Sequence, residues 1–261
     1  MSIVFDRATS YYDRTRGLPP EAEIGLAEVL REHTALGPGS RVLELGVGTG
    51  RIALPLMRLN RYHYTGVDLS AEMMEVLRGK LDDLRIALLR ADAARLPFRS
   101  QQFAAVVAVH VFHLIGEWSQ AMDEVRRVLR PGGLLLHGYN HHGESSPVAE
   151  LRNKLTELSG PSSQLDSTSM LAWPQIEAEL AQRFGSSREC ATASWTVHTT
   201  ARTLIEQFQS RIWSQTWSLS DEQLSEAARQ ASDWAAERLG GLDSPLAGAQ
   251  EFRWKMYTKR G

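Results

Sequence analysis

The stretch RVLELGVGTGRIALPL, residues 41–56, decides the fold of this chain. A short apolar run predicts a β-strand over 41–45, and a helix-like segment follows at 51–59. Between them stand three glycines, Gly46, Gly48 and Gly50. A strand, a glycine-rich turn and a helix in this order open a nucleotide-binding βαβ unit. Glycine suits such a turn because a side chain would keep a ligand away from the backbone, and because the turn often needs positive φ.

The spacing of the glycines and one nearby acid indicate which ligand the turn binds. A dinucleotide turn reads GxGxxG and would have a glycine at position 51, where this chain has Arg51. Glu44, just before the first glycine, would repel a pyrophosphate at the helix N-terminus but would suit an ammonium group. S-adenosylmethionine, with an adenosine half and an amino-acid half, fits both observations. An NAD-dependent oxidoreductase is the alternative enzyme class, and an ordinary tight turn is the alternative reading of the glycines.

Composition limits the possible classes of protein. The chain has 261 residues, of which 43% are hydrophobic and 23% charged, as in ordinary globular proteins. A net charge of -2 offers no electrostatic footprint for nucleic acid or an anionic membrane. One cysteine, Cys190, allows no internal disulfide and no cysteine zinc cluster, which favours a reducing compartment. The first residues do not resemble a signal peptide, and no run of about 18 apolar residues occurs. We therefore expect a cytoplasmic protein without nucleic-acid or membrane partners, and leave its oligomeric state open.

Strand and helix patterns alternate along the first half of the chain. Further strands are predicted at 62–67, 85–89, 103–109 and 134–139. The alternation predicts a parallel sheet with right-handed crossovers, and the nearly uniform apolar run FAAVVAV predicts a strand covered on both faces. In the later half of the chain, strands and helices no longer alternate regularly. Helices are predicted at 147–159, 173–184, 200–215 and 220–239. A loop is predicted at 160–169, and strands at 187–197 and 250–258.

Four features together resemble the class I S-adenosylmethionine-dependent methyltransferases, closest to their small-molecule, type 11 branch. They are the Glu44-x-Gly46-x-Gly48-x-Gly50 series, Asp68, Asp92 and the segment RRVLRPGGLLL at 126–136. The resemblance covers about residues 40–140. It implies an α/β fold with a doubly wound, mostly parallel seven-stranded sheet and helical insertions in the C-terminal half. It also implies a cofactor-binding part with an N-terminal lid at 1–140, and a part at 141–261 that completes the sheet and adds a helical substrate cap.

The resemblance also implies the activity. We expect methyl transfer from S-adenosylmethionine to a small-molecule acceptor by in-line displacement. A cofactor-binding protein of the same fold that does not turn over is the alternative. The acceptor atom, whether oxygen, nitrogen, carbon or sulfur, stays open.

The resemblance assigns roles at the adenosine end of the cofactor. Asp68 would accept hydrogen bonds from both ribose hydroxyls, with a helix-capping acid as the alternative role. Leu69 and Met73 would pack on the adenine, although the helical spacing of Met73 suits ordinary core packing nearly as well. Asp92 would accept from the adenine amino group while the backbone N–H of Ala93 meets a ring nitrogen. An exposed turn acid is the alternative role for Asp92.

At the methionine end, the resemblance assigns Glu44 and the backbone around Gly46 to the ammonium group. Val109 and His110 end the fourth strand, where the family places residues beside the sulfonium. In the lid segment, Arg16 would pair with the methionine carboxylate. A tyrosine of the same segment, for which Tyr12 is the candidate, would face the sulfonium. The remaining glycines, Gly48 and Gly50, would complete the cofactor turn.

The sequence does not select a catalytic base. Because the sulfonium methyl is already activated, the protein must align the acceptor, exclude water and remove a proton where one is in the way. The available proton acceptors are His110, His137, His141, His142, His198, Tyr11, Tyr12 and Tyr139. No metal site is expected. Trp213 and Trp217, four residues apart, are predicted to share one helix face and line an acceptor pocket, although most such tryptophans are core.

Overall fold

The computed structural model describes residues 2–142, 146–160 and 173–260. Its strands are β1 (Arg41–Leu45), β2 (His63–Asp68), β3 (Ile86–Arg90), β4 (Phe103–Val109), β5 (Leu129–His142), β6 (Arg188–Thr200) and β7 (Pro245–Thr258). They form one sheet in the order β3-β2-β1-β4-β5-β7-β6. β1 pairs in parallel with β2 and β4, β2 with β3, and β4 with β5. The predicted doubly wound, mostly parallel seven-stranded sheet is confirmed.

Helices separate the strands. They are α1 (Tyr12–Arg16), α2 (Pro20–His33), α3 (Ala53–Asn60), α4 (Ala71–Arg78), α5 (Trp118–Val128), α6 (Pro147–Leu158), α7 (Trp173–Phe184), α8 (Ala201–Gln209) and α9 (Asp221–Arg238). Short 3₁₀ helices occur at Asp6–Ala8, Phe112–Leu114 and Ser214–Thr216. None of the helices in the described part of the chain is long and apolar enough to cross a membrane.

The order of strands places a crevice at the centre of the sheet. From β1 the chain builds outward to β2 and β3 on one side, then returns to β4 and β5 on the other. In open parallel sheets, ligands bind outside the carboxyl ends of the strands at such a reversal. All seven residues of β4 are buried, so the strand beside the crevice is held from both faces.

The first compact unit comprises Met1–Tyr139, Ser167–Ala193 and Phe252–Gly261. It therefore extends past the boundary predicted at residue 140 and takes in two later segments. On one face of its sheet, β4, α5 and α7 contribute to one apolar core. On another side, the buried indole of Trp254 in β7 donates from Nε1 to the carbonyl of Leu26 in α2 at 3.0 Å.

The second compact unit comprises Asn140–Asp166 and Ser194–Glu251. Its core is formed by α6, α8 and α9 together with the segment after α8. α8 ends at Gln209, so the helix predicted over 200–215 is too long. Arg211 has φ 54°, a left-handed conformation, and its guanidinium donates to two later carbonyls, which turns the chain out of the helix.

The predicted shared helix face of Trp213 and Trp217 is therefore wrong. The two residues flank the 3₁₀ helix Ser214–Thr216. Trp213 is buried in the core of the second unit, with its ring 6.1 Å from that of Phe208. The indole N–H of Trp217 donates to the carbonyl of Arg211 at 2.8 Å.

The later strands are longer than predicted. β5 begins well before 134 because the Pro-Gly-Gly sequence does not precede the strand but bulges within it, where the register against β4 shifts at 103–105. The N–H of Gly132 in the bulge donates to the carbonyl of Lys259 at 3.0 Å. This bond explains the extension, because the end of the chain supplies a partner that the local pattern does not reveal.

Candidate functional site

A cleft opens in the first compact unit at the carboxyl ends of β1, β2, β3 and β4. The space inside it, counted together with the solvent at its open mouth, is about 690 Å³. Ten of the thirteen residues predicted to touch the cofactor line this cleft: Tyr12, Gly46, Gly48, Asp68, Leu69, Met73, Asp92, Ala93, Val109 and His110. Arg16, Glu44 and Gly50 do not line it.

Glycine is required at two positions of the turn, Gly46 and Gly50, for different structural reasons. Gly46 has φ 65°, and a Cβ there would lie 2.7 Å from Cγ2 of Val111, which follows β4. Gly50 has φ 85°, and a Cβ there would lie 2.3 Å from Cδ1 of Leu77 in α4. Real Cβ atoms do not approach other carbons so closely. Gly46 therefore lets the turn form the floor of the cleft, whereas Gly50 lets the turn pack against α4.

Asp68, at the end of β2, joins the glycine turn to the start of α4. Its Oδ2 accepts from the N–H of Gly48 at 2.8 Å, and its Oδ1 accepts from the N–H of Ser70 at 2.9 Å. Burial raises the pKa of Asp68, and these backbone hydrogen bonds oppose the rise. Each carboxylate oxygen retains a lone pair for a ligand hydroxyl. The N-cap of α4 is Ser70, whose hydroxyl accepts from the N–H of Met73 at 3.0 Å.

The opposite wall follows β3. The N–H of Ala91 donates to the carbonyl of Asp68 at 3.1 Å, which holds the ends of β2 and β3 together. Asp92 accepts at Oδ1 from the N–H of Ala94 at 2.9 Å, so its carboxylate is oriented by its own turn. Met73 is almost fully buried and also lines the cleft, so its core and cleft roles coincide.

His110 directly follows β4 and has an unusual backbone conformation. Its φ is 49°, a left-handed value that costs a non-glycine residue roughly 1–3 kcal/mol and is concentrated at functional sites. Its N–H donates to the carbonyl of Gly138 at 3.4 Å. The left-handed conformation of His110 turns the chain sharply at the edge of the cleft, which His110 itself lines. Sequence reasoning identified His110, but the strain has no sequence signal.

The N-terminal segment supplies part of the cleft that sequence reasoning missed. Ser2, Ile3 and Phe5 line it. The N–H of Ile3 donates to the carbonyl of Leu114 at 2.9 Å, and the Ser2 hydroxyl accepts from a backbone N–H at 3.2 Å. The only available signal was the apolar and aromatic character of these first residues.

A contact between α1 and the glycine turn holds the predicted lid in place. Asp13 accepts at Oδ1 from the buried hydroxyl of Thr49 at 2.7 Å and at Oδ2 from Nζ of Lys80 at 2.5 Å. Lys80 also donates to the carbonyl of Thr49 at 3.0 Å. This Asp13–Thr49–Lys80 contact places Tyr12 at the cleft, with its ring at right angles to that of Phe5 and 6.0 Å away.

Glu44 lies behind the glycine turn and is only 2% exposed. Its Oε2 accepts from the hydroxyl of Tyr64 at 2.8 Å. Burial raises the pKa of Glu44 to about 8, and the charge of Asp68 raises it further, while the hydrogen bond from Tyr64 and the charge of Arg51 oppose the rise. The free carboxyl is therefore largely protonated at neutral pH, and an arriving cation would favour its ionised form.

Two arginines beside the turn lack a carboxylate partner in the part of the chain that the structure describes. Arg51 donates from Nη1 to the carbonyl of Arg16 at 2.9 Å, while its buried Nη2 has no hydrogen-bond partner among the described residues. Burial lowers the pKa of both guanidiniums. Buried guanidiniums are normally paired, so this corner suits an anion. Arg16 was predicted to bind a carboxylate. Arg51 was not predicted as a binding residue, because the sequence indicates only that it replaces the third glycine of a dinucleotide turn.

Metal binding has no visible basis at this site. Within residues 2–142, 146–160 and 173–260, no three His, Cys, Asp or Glu side chains lie close enough together to hold an ion.

Comparison with known proteins identifies relatives of this chain. Residues 43–137 match a family described as a methyltransferase domain. A demethylmenaquinone methyltransferase from Clavibacter sepedonicus is 32% identical over 195 residues, which cover 68% of this chain and 77% of that protein. The matched family segment contains the glycine turn, Asp68, Asp92 and His110.

Solved structures share the fold. YcgJ from Bacillus subtilis has a TM-score of 0.57 at 22% identity, over 92% of this chain and 98% of that one. Phosphoethanolamine N-methyltransferase 2 from Haemonchus contortus, in complex with S-adenosyl-L-methionine, has a TM-score of 0.52 at 16% identity, over 98% of this chain and 57% of that one.

Proposed function

The chain belongs to the class I S-adenosylmethionine-dependent methyltransferases, and we propose that it transfers the methyl group to a small-molecule acceptor by in-line displacement. The observation that carries the proposal is that ten of the thirteen residues expected to touch the cofactor line one cleft at the carboxyl ends of four strands. These residues come from separate parts of the chain, so their convergence is a property of the fold.

The residues around the cleft fit the two ends of S-adenosylmethionine. Asp68 presents a fixed, partly satisfied carboxylate to the ribose hydroxyls. At the other end, Nη2 of Arg51, for which the described residues provide no partner, offers an anion site for the methionine carboxylate together with Arg16. Glu44, behind Gly46, offers a counter-charge for the ammonium. The roles of Leu69, Met73, Asp92 and Ala93 at the adenine are part of the same proposal.

The bound cofactor supplies a methyl group on a positively charged sulfur, so the electronic activation lies in the cofactor. The chain's own residues bind, orient and exclude water. The Asp13–Thr49–Lys80 contact holds α1 over the glycine turn, and the first residues close one side of the cleft. A prepositioned acceptor can lower the barrier by about 7 kcal/mol or more.

The acceptor class is supported by a relative and by the pattern of charge. The Clavibacter sepedonicus protein is named for demethylmenaquinone, a small molecule. The net charge of -2 offers no attraction for nucleic acid. The helical substrate cap expected within residues 141–261 remains a prediction from the sequence.

Calorimetry tests the cofactor assignment. S-adenosylmethionine and S-adenosylhomocysteine are expected to bind the protein, and NADH is not. Asp68→Ala removes two hydrogen bonds to a charged group, each worth roughly 1.5–3 kcal/mol, and is expected to weaken binding by about 100-fold or more. Asp83→Ala, an exposed aspartate, is the matched control. Binding of NADH alone, or equal binding by both variants, would contradict the proposal.

A further inference from the structure

A second pocket lies at the amino ends of β1 and β4, at the other end of the strands from the cofactor cleft. Its lining residues are Arg41, Pro97, Phe98, Arg99, Ser100 and Gln102. The space inside it, counted together with the solvent at its open mouth, is about 790 Å³. Because β1 has five residues, Arg41 and the glycine turn that follows β1 lie roughly 16 Å apart, at about 3.3 Å per residue. The pocket is therefore separate from the site of methyl transfer.

The loop that forms most of this pocket is fixed by Arg127 of α5. Arg127 donates from Nη1 to the carbonyl of Phe98 at 2.6 Å and from Nη2 to the carbonyl of Leu96 at 3.0 Å. Its own carbonyl accepts from the N–H of Gln101 at 2.9 Å. Glu124 orients this guanidinium, since its carboxylate accepts from Nε at 2.6 Å and from Nη2 at 2.7 Å. The wall of the pocket is thus preorganised, which lowers the entropic cost of binding a ligand.

The polar side chains that line the pocket can all donate hydrogen bonds. Arg41 and Arg99 contribute one guanidinium each, with five N–H donors in a planar fork, and Ser100 contributes a hydroxyl. Gln102 accepts at Oε1 from the backbone N–H of Arg99 at 3.2 Å, which leaves its NH₂ group as the part available to a ligand. None of the lining residues is an aspartate or a glutamate. A ligand that meets these groups must supply the acceptors.

The carboxylates around this loop do not neutralise the pocket. Glu124 is paired with Arg127, and Asp92 lines the cofactor cleft. Neither Arg41 nor Arg99 forms an ion pair or a side-chain hydrogen bond with any residue that the structure describes. Two guanidiniums at one pocket without a counter-charge make its potential positive, so the pocket attracts an anion.

The donors and charges fit a phosphate group better than a carboxylate. A phosphate monoester carries about −1.5 to −2 charges at pH 7, which matches two guanidiniums, and its three terminal oxygens accept bidentate hydrogen bonds from arginine. Ser100 and Gln102 offer two more donors, which is more than the two oxygens of a carboxylate can use well. Phe98, held edge-on against Phe103 at 5.0 Å, adds an apolar wall together with Pro97. The pocket therefore suits a phosphate attached to an apolar or aromatic group.

We propose that this pocket is a second binding site, which takes a small molecule with a phosphate group on an apolar or aromatic body. Arg41 and Arg99 bind the phosphate, and Phe98 packs on the body of the ligand. A molecule bound there is too far from the cleft to receive the methyl group, so it is not the acceptor. The site goes beyond the proposed function and does not depend on it.

NMR titration of the isotope-labelled full chain with phenyl phosphate tests the site. S-adenosylhomocysteine is present throughout, so that the probe is kept away from Arg16 and Arg51. Phenyl phosphate is expected to bind saturably and to shift the backbone amide signals of Arg99, Ser100 and Gln102. Phenol, which lacks the phosphate, should bind at least about 10-fold more weakly, and benzoate, which carries a carboxylate, at least about 3-fold more weakly. Added salt should weaken the binding of phenyl phosphate, because it screens exposed charges.

Single substitutions assign the binding to the two arginines. Arg41→Gln and Arg99→Gln should each weaken phenyl phosphate by about 5- to 10-fold, as for a charged hydrogen bond that solvent partly screens. Both side chains are exposed, so neither change disturbs the core. Arg99→Lys keeps the charge and should retain part of the affinity. Arg58→Gln, an exposed arginine of α3 that does not line the pocket, is the matched control and should bind like wild type.

Several outcomes would overturn the site. They are absence of saturable binding, binding of phenol as tight as that of phenyl phosphate, and a loss in Arg58→Gln equal to that in Arg41→Gln and Arg99→Gln. Equal affinity for benzoate would overturn phosphate as the ligand class. Shifts confined to Gly46 and Gly48 would place the probe in the cofactor cleft and would also refute the second site. The shifted amides locate the probe whether or not S-adenosylhomocysteine binds, so this result is independent of the proposed function.

Discussion

Replacing Glu44 by glutamine is expected to stabilise the cofactor-free protein, by an amount that grows with pH. Glu44 is 2% exposed, and burial raises its pKa to about 8 from an ordinary value of 4.5. Glutamine keeps an oxygen that can accept from the hydroxyl of Tyr64, but it cannot ionise. The variant therefore removes the titration with little change of shape.

The magnitude follows from proton linkage. A carboxyl group whose pKa is raised by folding contributes stability that is fully present below its unfolded pKa and is lost as the pH rises through its folded pKa. For Glu44 this window runs from 4.5 to about 8. Each pKa unit corresponds to about 1.4 kcal/mol, so wild type should lose about 3 kcal/mol relative to Glu44→Gln between roughly pH 5 and pH 8.

Urea unfolding followed by circular dichroism at several pH values across this window measures the difference. Glu72→Gln, an exposed glutamate on α4, controls for the loss of one negative charge and should show no comparable trend. A difference between wild type and Glu44→Gln that stays constant with pH would show that Glu44 is already ionised in the folded protein. The neutral buried carboxyl, and the argument that an arriving ammonium ionises it, would then be refuted.

Further outcomes follow from the same contacts. Binding of S-adenosylmethionine near pH 7 should release a proton from Glu44, so that calorimetric heats differ between buffers of different ionisation enthalpy in wild type but not in Glu44→Gln. Arg51→Met should weaken the binding of S-adenosylhomocysteine by about 10-fold or more but leave the binding of methylthioadenosine unchanged, because methylthioadenosine lacks the carboxylate. An equal loss of affinity for both ligands would contradict an anion site. Gly50→Ala should lower the free energy of unfolding by about 1–3 kcal/mol, because its Cβ would overlap Leu77, without changing cofactor affinity once folded. Asp13→Asn should speed dissociation of S-adenosylhomocysteine in stopped-flow measurements, and an unchanged rate would argue against the role of α1 as a lid.

The fold was predictable because its signals are local. The strand–glycine turn–helix order at 41–56 and the apolar run of β4 depend on neighbouring residues alone. The family resemblance assigned Asp68 and Asp92 to one cofactor site, and the fold explains why they meet, since the carboxyl ends of parallel strands lie at the same edge of a sheet. Element ends were less predictable. α8 stops before 215 because the side chain of Arg211 bonds to later carbonyls, and the bulge in β5 depends on a partner near the end of the chain.

The sequence by itself determined the succession of strands along the chain, the glycine turn, and the acids at the ends of β2 and β3, because each depends on a short stretch of chain. Only the tertiary structure decided which polar groups are paired. Burial beside Tyr64 raises the pKa of Glu44, and Nη2 of Arg51 has no hydrogen-bond partner within the described residues. Nδ1 of His113 and both ring nitrogens of His137 are likewise buried without a hydrogen-bond partner among the described residues, because segments distant in the sequence pack around them. Protonation and pairing depend on the whole surroundings of an atom, and residues far apart in the sequence create those surroundings.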